Sequence, residues 1–141
     1  MGTERLLLAD EAATAALGAR LAKRLAPGDV VLLQGGLGAG KTVLARALVR
    51  TLMSDPELEV PSPSFALVQP YEGNGRLVLH ADLYRIADPR EVDELGLFDQ
   101  PEAIVLVEWP ERDDELLSRR ATLVRMSLPA DGRGRIAEIV A

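Results

Sequence analysis

The sequence predicts an α/β domain in which a mixed, mainly parallel sheet carries helices on its faces and ends in an antiparallel hairpin. Two observations predict this class. In the first half of the chain, short apolar runs typical of buried strands alternate with helix-like segments, and strand pairs separated by turns follow. A glycine-rich loop also joins one of these strands to a helix. We predict that residues 1–141 form one such domain, which is a common domain length.

The elements follow from periodicity and from the residues that begin and end each segment. In chain order we predict a strand at 5–8, a helix at 10–25, a strand at 29–34, a helix at 43–53, strands at 66–71 and 76–82, a helix at 88–96, and strands at 103–108, 123–128 and 135–140. The first two helices have leucines every four residues, and Asp10 is a favourable N-cap. Pro89 suits the first turn of the third helix. The strands are apolar or rich in β-branched residues, and turns at 72–75 and 130–134 join the two hairpins.

The glycine-rich loop has the pattern of a phosphate-binding loop. Segment 35–42 reads Gly-Gly-Leu-Gly-Ala-Gly-Lys-Thr and fits G-x-x-x-x-G-K-[ST]. Its glycines let successive backbone N–H groups face phosphate oxygens. Lys41 adds a cation for the β and γ phosphates, and Thr42 offers a hydroxyl to Mg²⁺. Because a strand precedes the loop and a helix follows it, the pattern predicts a P-loop NTPase fold rather than an ordinary turn.

Two acids end predicted strands at the edge of the sheet where this loop is expected. Ligands of open α/β sheets bind beyond the carboxyl ends of the strands. Glu108 ends an apolar strand and is the candidate metal ligand beside Thr42. Asp82 has three possible roles: binding metal through water, orienting an attacking water, or capping the next helix. His80 is the single histidine and shares a strand face with Asp82, but a lone histidine is more often structural than catalytic.

Other polar and aromatic residues have both a functional and a structural interpretation. The proline-stiffened segment 62–65 is either a sensor of the γ-phosphate or a rigid connector. Trp109, the single tryptophan, is expected to pack in the core. Arg85, Arg112 and Arg135 are candidates for neutralising phosphate charge, although exposed arginines usually have no such role.

Composition excludes several classes of protein. Without cysteine the chain has neither disulfides nor cysteine-ligated zinc, and a reducing cytoplasm is compatible with this composition. The formal net charge of −6 argues against an autonomous nucleic-acid-binding protein. The apolar runs are too short for a signal-peptide core or a membrane span, so we expect a cytoplasmic protein with no membrane partner.

Taken together, these motifs resemble the TsaE (YjeE-type) family of small bacterial ATPases over almost the whole chain. The matching segments begin with Asp10-Glu11, Thr14 and Leu17-Gly18, followed by Pro27-Gly28-Asp29 and the phosphate loop at 35–42. They continue with Ser-Pro-Ser-Phe at 62–65, His-Ala-Asp-Leu-Tyr-Arg at 80–85, Glu-Trp-Pro-Glu at 108–111 and Gly-Arg at 134–135. The resemblance implies an ATPase, binding ATP or ADP with Mg²⁺, in the machinery that installs threonylcarbamoyladenosine in tRNA. It also implies two paralogous partner subunits, one of which carries the transferase site, so that contact with tRNA is expected to be indirect.

The resemblance also implies roles for several of the matching residues. The phosphates would be held by Gly38, Ala39, Gly40, Lys41, Thr42 and Val43. Thr42 and Glu108 would hold Mg²⁺, and the catalytic residues would be Lys41, Asp82 and Glu108. Glu11 would lie near the base end of the nucleotide, and Arg135 near the nucleotide.

The chain departs from the family pattern at two positions. Gly36 stands where the family usually has Asp, so a charge beside the phosphate loop is missing. Ser64 stands where the family usually has Thr, and it keeps the hydroxyl. Neither departure affects Lys41 or Thr42.

Two other functions are compatible with the residues. A small metabolite kinase would use the same loop, but the chain has no evident arginine-rich lid and little length for a second substrate site. A non-catalytic adaptor would bind ATP and a partner, with incidental hydrolysis. Because no arginine is clearly placed to stabilise the transition state in cis, we expect slow hydrolysis alone and faster turnover with partners.

Overall fold

The computed structural model describes residues 2–140, which form a seven-stranded sheet with helices on both faces. The strands are β1 (Thr3–Leu8), β2 (Val30–Gly35), β3 (Val68–Gly73), β4 (Arg76–Asp82), β5 (Ile104–Glu108), β6 (Thr122–Ser127) and β7 (Arg135–Val140). The helices are α1 (Glu11–Ala22), α2 (Lys41–Met53), α3 (Arg90–Asp93) and α4 (Asp114–Leu117), with a 3₁₀ turn at Pro110–Arg112. The strand order is β1-β7-β6-β2-β5-β4-β3.

The centre of the sheet is parallel and its edges are antiparallel. Strands β6, β2, β5 and β4 all run in the same direction. At the edges, β3 pairs antiparallel with β4, while β7 pairs antiparallel with both β6 and β1. Every residue of β5 is buried, as expected for a parallel strand covered on both faces. The predicted mixed sheet and terminal hairpin are confirmed.

The central strands divide the core into two clusters because successive side chains point to opposite faces. On one face, Val31 and Leu33 of β2 pack with α1 and α2. On the other face, Leu32 packs with residues of α3 and α4. The predicted leucine face of α2 is confirmed, since three leucines are at most 1% exposed: Leu44, Leu48 and Leu52.

The first helix is shorter than the predicted 10–25. Asp10 caps it as expected, accepting a hydrogen bond of 2.8 Å from the Ala13 N–H. The α-helix ends at Ala22 because the next residues form tighter bonds of the i to i+3 type, from Arg24 N to Leu21 O and from Leu25 N to Ala22 O. The 3₁₀-like turn at the end of α1 leads into the loop before β2.

Segment 88–96 contains only one helical turn, α3, so the predicted longer helix is wrong. Pro89 is the N-cap of this turn, whereas the sequence predicts it within the first turn of the helix. After α3 the chain again forms i to i+3 bonds, from Leu95 N to Val92 O and from Gly96 N to Asp93 O. These bonds end the α-helix, and Gly96 adopts a left-handed conformation with φ of 66°.

The prediction also placed the start of β3 too early and missed the short helices after β5. Strand β3 begins at Val68 rather than residue 66, because Leu67 is left-handed, with φ of 68°, and its N–H bonds to Pro63 O at 2.7 Å. After β5, the Asp113 carboxylate accepts the Glu115 N–H at 3.1 Å and caps α4. Within residues 2–140 there is no helix with both the length and the apolarity needed to span a membrane.

Candidate nucleotide-binding site

The phosphate loop connects β2 to α2 at the carboxyl end of the sheet. The loop ends at Gly40, the N-cap of α2, whose φ of 104° is a conformation that favours glycine. A Cβ at this position would also lie 3.2 Å from Met126 Cε. The helix then begins at Lys41, so its free N–H groups face the space beside the loop. This arrangement is the strand, loop and helix order predicted from the sequence.

Lys41 lies inside this loop and is 5% exposed. Its Nζ donates hydrogen bonds to Gly35 O and, at 2.8 Å, to Gly36 O. The same atom lies 4.0 Å from the centroid of the Trp109 ring, a cation–π distance. Burial lowers the pKa of Lys41, while the nearby carboxylates of Glu108, Glu111 and Asp82 oppose that shift. The ammonium group is therefore held at the base of the loop by carbonyls and an aromatic face.

Glu108 meets the start of α2 from the adjacent strand. Thr42 Oγ1 donates a hydrogen bond of 3.0 Å to Glu108 Oε1. The second carboxylate oxygen, Oε2, lies 2.6 Å from His80 Nε2. Both Glu108 and His80 are almost completely buried, at 2% and 0% exposure. The structure thus brings together the hydroxyl and the carboxylate that were predicted to share a metal.

Asp82 lies beside Glu108, because the two residues are register partners of β4 and β5. Its Oδ2 accepts a hydrogen bond of 3.2 Å from Ser62 Oγ, and its Oδ1 accepts one of 2.9 Å from the Tyr84 N–H. The interpretation of Asp82 as a cap for the next helix is wrong, because α3 begins only at Arg90. Its carboxylate instead stabilises the turn that leaves β4.

These residues line one cleft of about 510 Å³. Its wall includes every site residue predicted from the sequence: Glu11, Gly38, Ala39, Gly40, Lys41, Thr42, Val43, Asp82, Glu108 and Arg135. The cleft is also lined by Ser62 and Ser64, so the proline-stiffened loop borders the site. Trp109 packs against the second core cluster, as expected, and its ring additionally faces the cleft.

The three candidate arginines have different positions. Arg135 lines the cleft, and its Nε donates a hydrogen bond of 3.1 Å to Gly38 O. Arg85 stacks on the exposed ring of Phe65 at 4.2 Å. Arg112 lies 5.5 Å from the Tyr84 ring centroid. Of the three, only Arg135 is among the residues that line the cleft.

Sequence reasoning did not single out the end of β1 as part of the site. Leu8 and Ala9 line the cleft because β1 pairs with β7, placing Leu8 opposite Arg135. Gly134 makes this approach possible: its φ is 69°, and a Cβ there would collide with Leu8 O. The pairing of segments 5–8 and 135–140 was the missing information, since each strand was predicted separately.

The donor groups beside the loop fit a magnesium ion. Thr42 Oγ1 and Glu108 Oε1 are oxygen donors 3.0 Å apart, and Mg²⁺ prefers oxygen ligands. Across residues 2–140, no group of three or more His, Cys, Asp or Glu side chains is arranged to hold a metal. Mg²⁺ commonly takes only one or two ligands from the protein and the rest from phosphate and water, and the pair of Thr42 and Glu108 fits that preference.

Position 36, where the resemblance noted above leads us to expect Asp, has open space for a side-chain Cβ. A Cβ on Gly36 would meet no heavy atom within 4 Å, and this residue has no left-handed φ. The backbone at this position therefore does not require glycine.

Comparison with known proteins identifies the family. A family model described as "Threonylcarbamoyl adenosine biosynthesis protein TsaE" matches residues 8–135. The chain belongs to the TsaE family. A Rickettsia conorii relative described as a tRNA threonylcarbamoyladenosine biosynthesis protein TsaE is 36% identical over 135 residues, covering 94% of this chain and 75% of that protein. A Mycobacterium tuberculosis relative with the same description is 38% identical over 134 residues, covering 88% and 79%.

A solved structure has the same fold. The crystal structure of YdiB from Bacillus subtilis matches with a TM-score of 0.79 at 23% identity. The match covers 99% of this chain and 86% of the YdiB chain. The α/β architecture predicted from the sequence is therefore shared with a solved protein.

Proposed function

We propose that this TsaE-family protein is a cytoplasmic, Mg²⁺-dependent ATPase component of the machinery that installs threonylcarbamoyladenosine in tRNA. One observation carries the ATPase part of the proposal. Lys41 and Thr42, at the start of α2, and Glu108, at the end of β5, converge in a cleft next to a glycine-rich loop. This is the set of groups that phosphoryl transfer from ATP requires.

In this proposal the loop binds the phosphate chain of ATP or ADP. The N–H groups of residues 38–43 and the N-terminal end of α2 attract the anionic oxygens. Lys41 exchanges its bonds to Gly35 O and Gly36 O for the β and γ phosphate oxygens. Arg135 and Glu11 border the same cleft, and Arg135 also supports the loop through Gly38 O.

Thr42 and Glu108 would hold Mg²⁺ in this site. Bound there, the ion would neutralise charge on the β and γ phosphate oxygens. Asp82, beside Glu108, is then the acid that orients the attacking water, and Ser62 restrains its Oδ2. Positioning and charge neutralisation account for most of the rate enhancement in this chemistry, so no covalent intermediate on the protein is needed.

The biological role is inferred from the descriptions of the family and its relatives, which name threonylcarbamoyladenosine biosynthesis. We propose that the protein acts through two paralogous subunits, one of which carries the transferase site, and that it supports their turnover with its ATP cycle. The net charge of −6 favours contact with tRNA through those partners rather than directly.

The test is ATP hydrolysis measured with and without the partner complex and without any small-molecule acceptor. We expect slow hydrolysis alone and faster hydrolysis with the partners. Lys41→Ala should reduce the rate at least about 100-fold, because it removes a charge that stabilises the transition state. Lys23→Ala is the matched control, since Lys23 is the other lysine and is exposed at the end of α1.

Four outcomes would contradict the proposal. Equal rates with and without partners would remove the partner-stimulated cycle. ATP consumption only when a small-molecule acceptor is added would favour a metabolite kinase. A variant with Asp82 or Glu108 replaced that binds ATP and no longer hydrolyses it, yet keeps full function with the partners, would favour an adaptor. Normal turnover by Lys41→Ala would mean that the phosphate loop has been misinterpreted.

A further inference from the structure

His80 is a fully buried polar residue in the middle of the central sheet. It lies on β4 opposite Leu106 of β5, with an exposure of 0%. Its Nε2 lies 2.6 Å from Glu108 Oε2. An ionised carboxylate can only accept hydrogen bonds, so with Glu108 ionised the hydrogen of this bond belongs to the imidazole Nε2. The ring therefore donates to the acid that ends the neighbouring strand.

The two oxygens of Glu108 are held from opposite sides. Oε1 accepts from Thr42 at the start of α2, and Oε2 accepts from His80 on β4. The backbone of β5 determines where the Glu108 side chain starts but leaves its rotatable bonds free. The contact with His80 removes that freedom and directs Oε1 toward the phosphate loop.

Packing alone does not account for a histidine at this position. Among residues 2–140, the ring's other nitrogen, Nδ1, is buried without a hydrogen-bond partner. Burying an unpaired polar atom costs free energy, whereas an apolar side chain would fill the same space without that cost. The bond to Glu108 is therefore the contact that uses the polarity of the ring.

We propose that His80 is a positioning residue for Mg²⁺ binding, acting through Glu108. Its Nε2–H holds Oε2, and Oε1 is thereby presented to the ion beside Thr42. This inference rests on the proposed function, because the orientation of Glu108 matters only where Glu108 holds the metal. Partners of metal-binding carboxylates typically contribute about 10- to 100-fold to metal affinity or activity.

The first test uses the protein without metal or nucleotide. Because His80 is the single histidine, ¹⁵N-histidine labelling gives one imidazole spectrum that needs no assignment. We expect hydrogen on Nε2, with a downfield resonance that exchanges slowly with water. A neutral ring protonated only at Nδ1 would overturn the proposal, because its unprotonated Nε2 cannot donate a hydrogen bond to Glu108.

The second test measures ADP affinity by calorimetry, with Mg²⁺ and with a chelator. In His80→Leu, we expect the gain in affinity caused by Mg²⁺ to fall about tenfold or more, and chelator-treated binding to be unchanged. His80→Gln should keep most of the gain, since its amide reaches the position of Nε2. His80→Asn should lose the gain although it remains polar, because its amide stops short of that position.

Val78→Ala is the control for a purely structural effect. Val78 is a buried residue on the same face of β4, two positions before His80. Its replacement by alanine should lower the melting temperature without changing the Mg²⁺-dependent gain in ADP affinity. If Mg²⁺ raises ADP affinity as much in His80→Leu and His80→Asn as in the wild type, the proposed role of His80 is overturned while the proposed function stands. A wild-type protein that binds ADP equally with and without Mg²⁺ would instead overturn the metal site of the proposed function and, with it, the role of His80.

Discussion

The ends of β4 and β5 carry one acid each, at paired register positions, yet the two acids have different surroundings. Glu108 is bonded to Thr42 of α2 and to His80 of β4, so both of its partners belong to regular elements. Asp82 is bonded to Ser62, in the loop between α2 and β3, and to the N–H of Tyr84 in the turn after β4.

This difference indicates which acid suits which role. The position of Glu108 is determined by the packed core, which fits a metal ligand that keeps one geometry throughout the reaction. One partner of Asp82 lies on an exposed loop that borders the cleft, which fits an acid whose contacts change as the γ-phosphate arrives and leaves. In our proposal, the two adjacent carboxylates would therefore have separate tasks, which depend on the elements that face them.

The largest expected effect comes from Glu108→Gln. Removing this charge should lower ATP hydrolysis by about 100- to 1,000-fold, because a fixed electrostatic group near the phosphates is lost. It should also reduce the gain in ADP affinity that Mg²⁺ provides, as measured by calorimetry. Glu102 is an exposed acid just before the first residue of β5, so Glu102→Gln is the matched control. It should change neither the hydrolysis rate nor the Mg²⁺-dependent gain in ADP affinity. Full activity in Glu108→Gln would end the distinction between the two acids.

Asp82→Asn should have the next largest effect. We expect the rate of hydrolysis to fall about 100-fold, which is at the low end of the effects seen when a general acid or base is removed. Unlike Glu108→Gln, this change should leave the Mg²⁺-dependent gain in ADP affinity intact. Asp93→Asn, an exposed acid on α3, serves as the control. If Asp82→Asn abolished the Mg²⁺-dependent gain, Asp82 rather than Glu108 would be the metal ligand.

Ser62→Ala should have the smallest effect of the three. Loss of its 3.2 Å bond to Asp82 removes a partly buried hydrogen bond worth about 1 kcal/mol, which corresponds to about fivefold in the hydrolysis rate. Ser64→Ala is the matched comparison, because Ser64 Oγ lies 2.9 Å from Ser62 Oγ but has no direct bond to Asp82. Steady-state rates for both variants provide the measurement, and an equal loss in both would implicate the loop rather than the Asp82 contact.

Much of this molecule was predictable from local patterns. The phosphate loop, the leucine face of α2 and the buried strand β5 depend on residues close together in the chain, so motif and periodicity suffice. The short helices were harder to predict. The turns around α3 and α4 depend on individual hydrogen bonds, such as the Asp113 cap of α4, and these leave little periodicity in the sequence.

The sequence by itself therefore determined the kinds of chemical group present: a phosphate loop, two strand-end acids and a candidate magnesium ligand in Thr42. Only the tertiary structure decided which groups meet. Thr42 and Glu108 are 66 positions apart, and they touch because β5 lies next to β2 in the sheet. His80 bonds to Glu108 because β4 pairs with β5, and Arg135 reaches Gly38 of the loop because β7 pairs with β6, the neighbour of β2. Strand adjacency arises from packing and register between distant segments, and no local pattern contains that information.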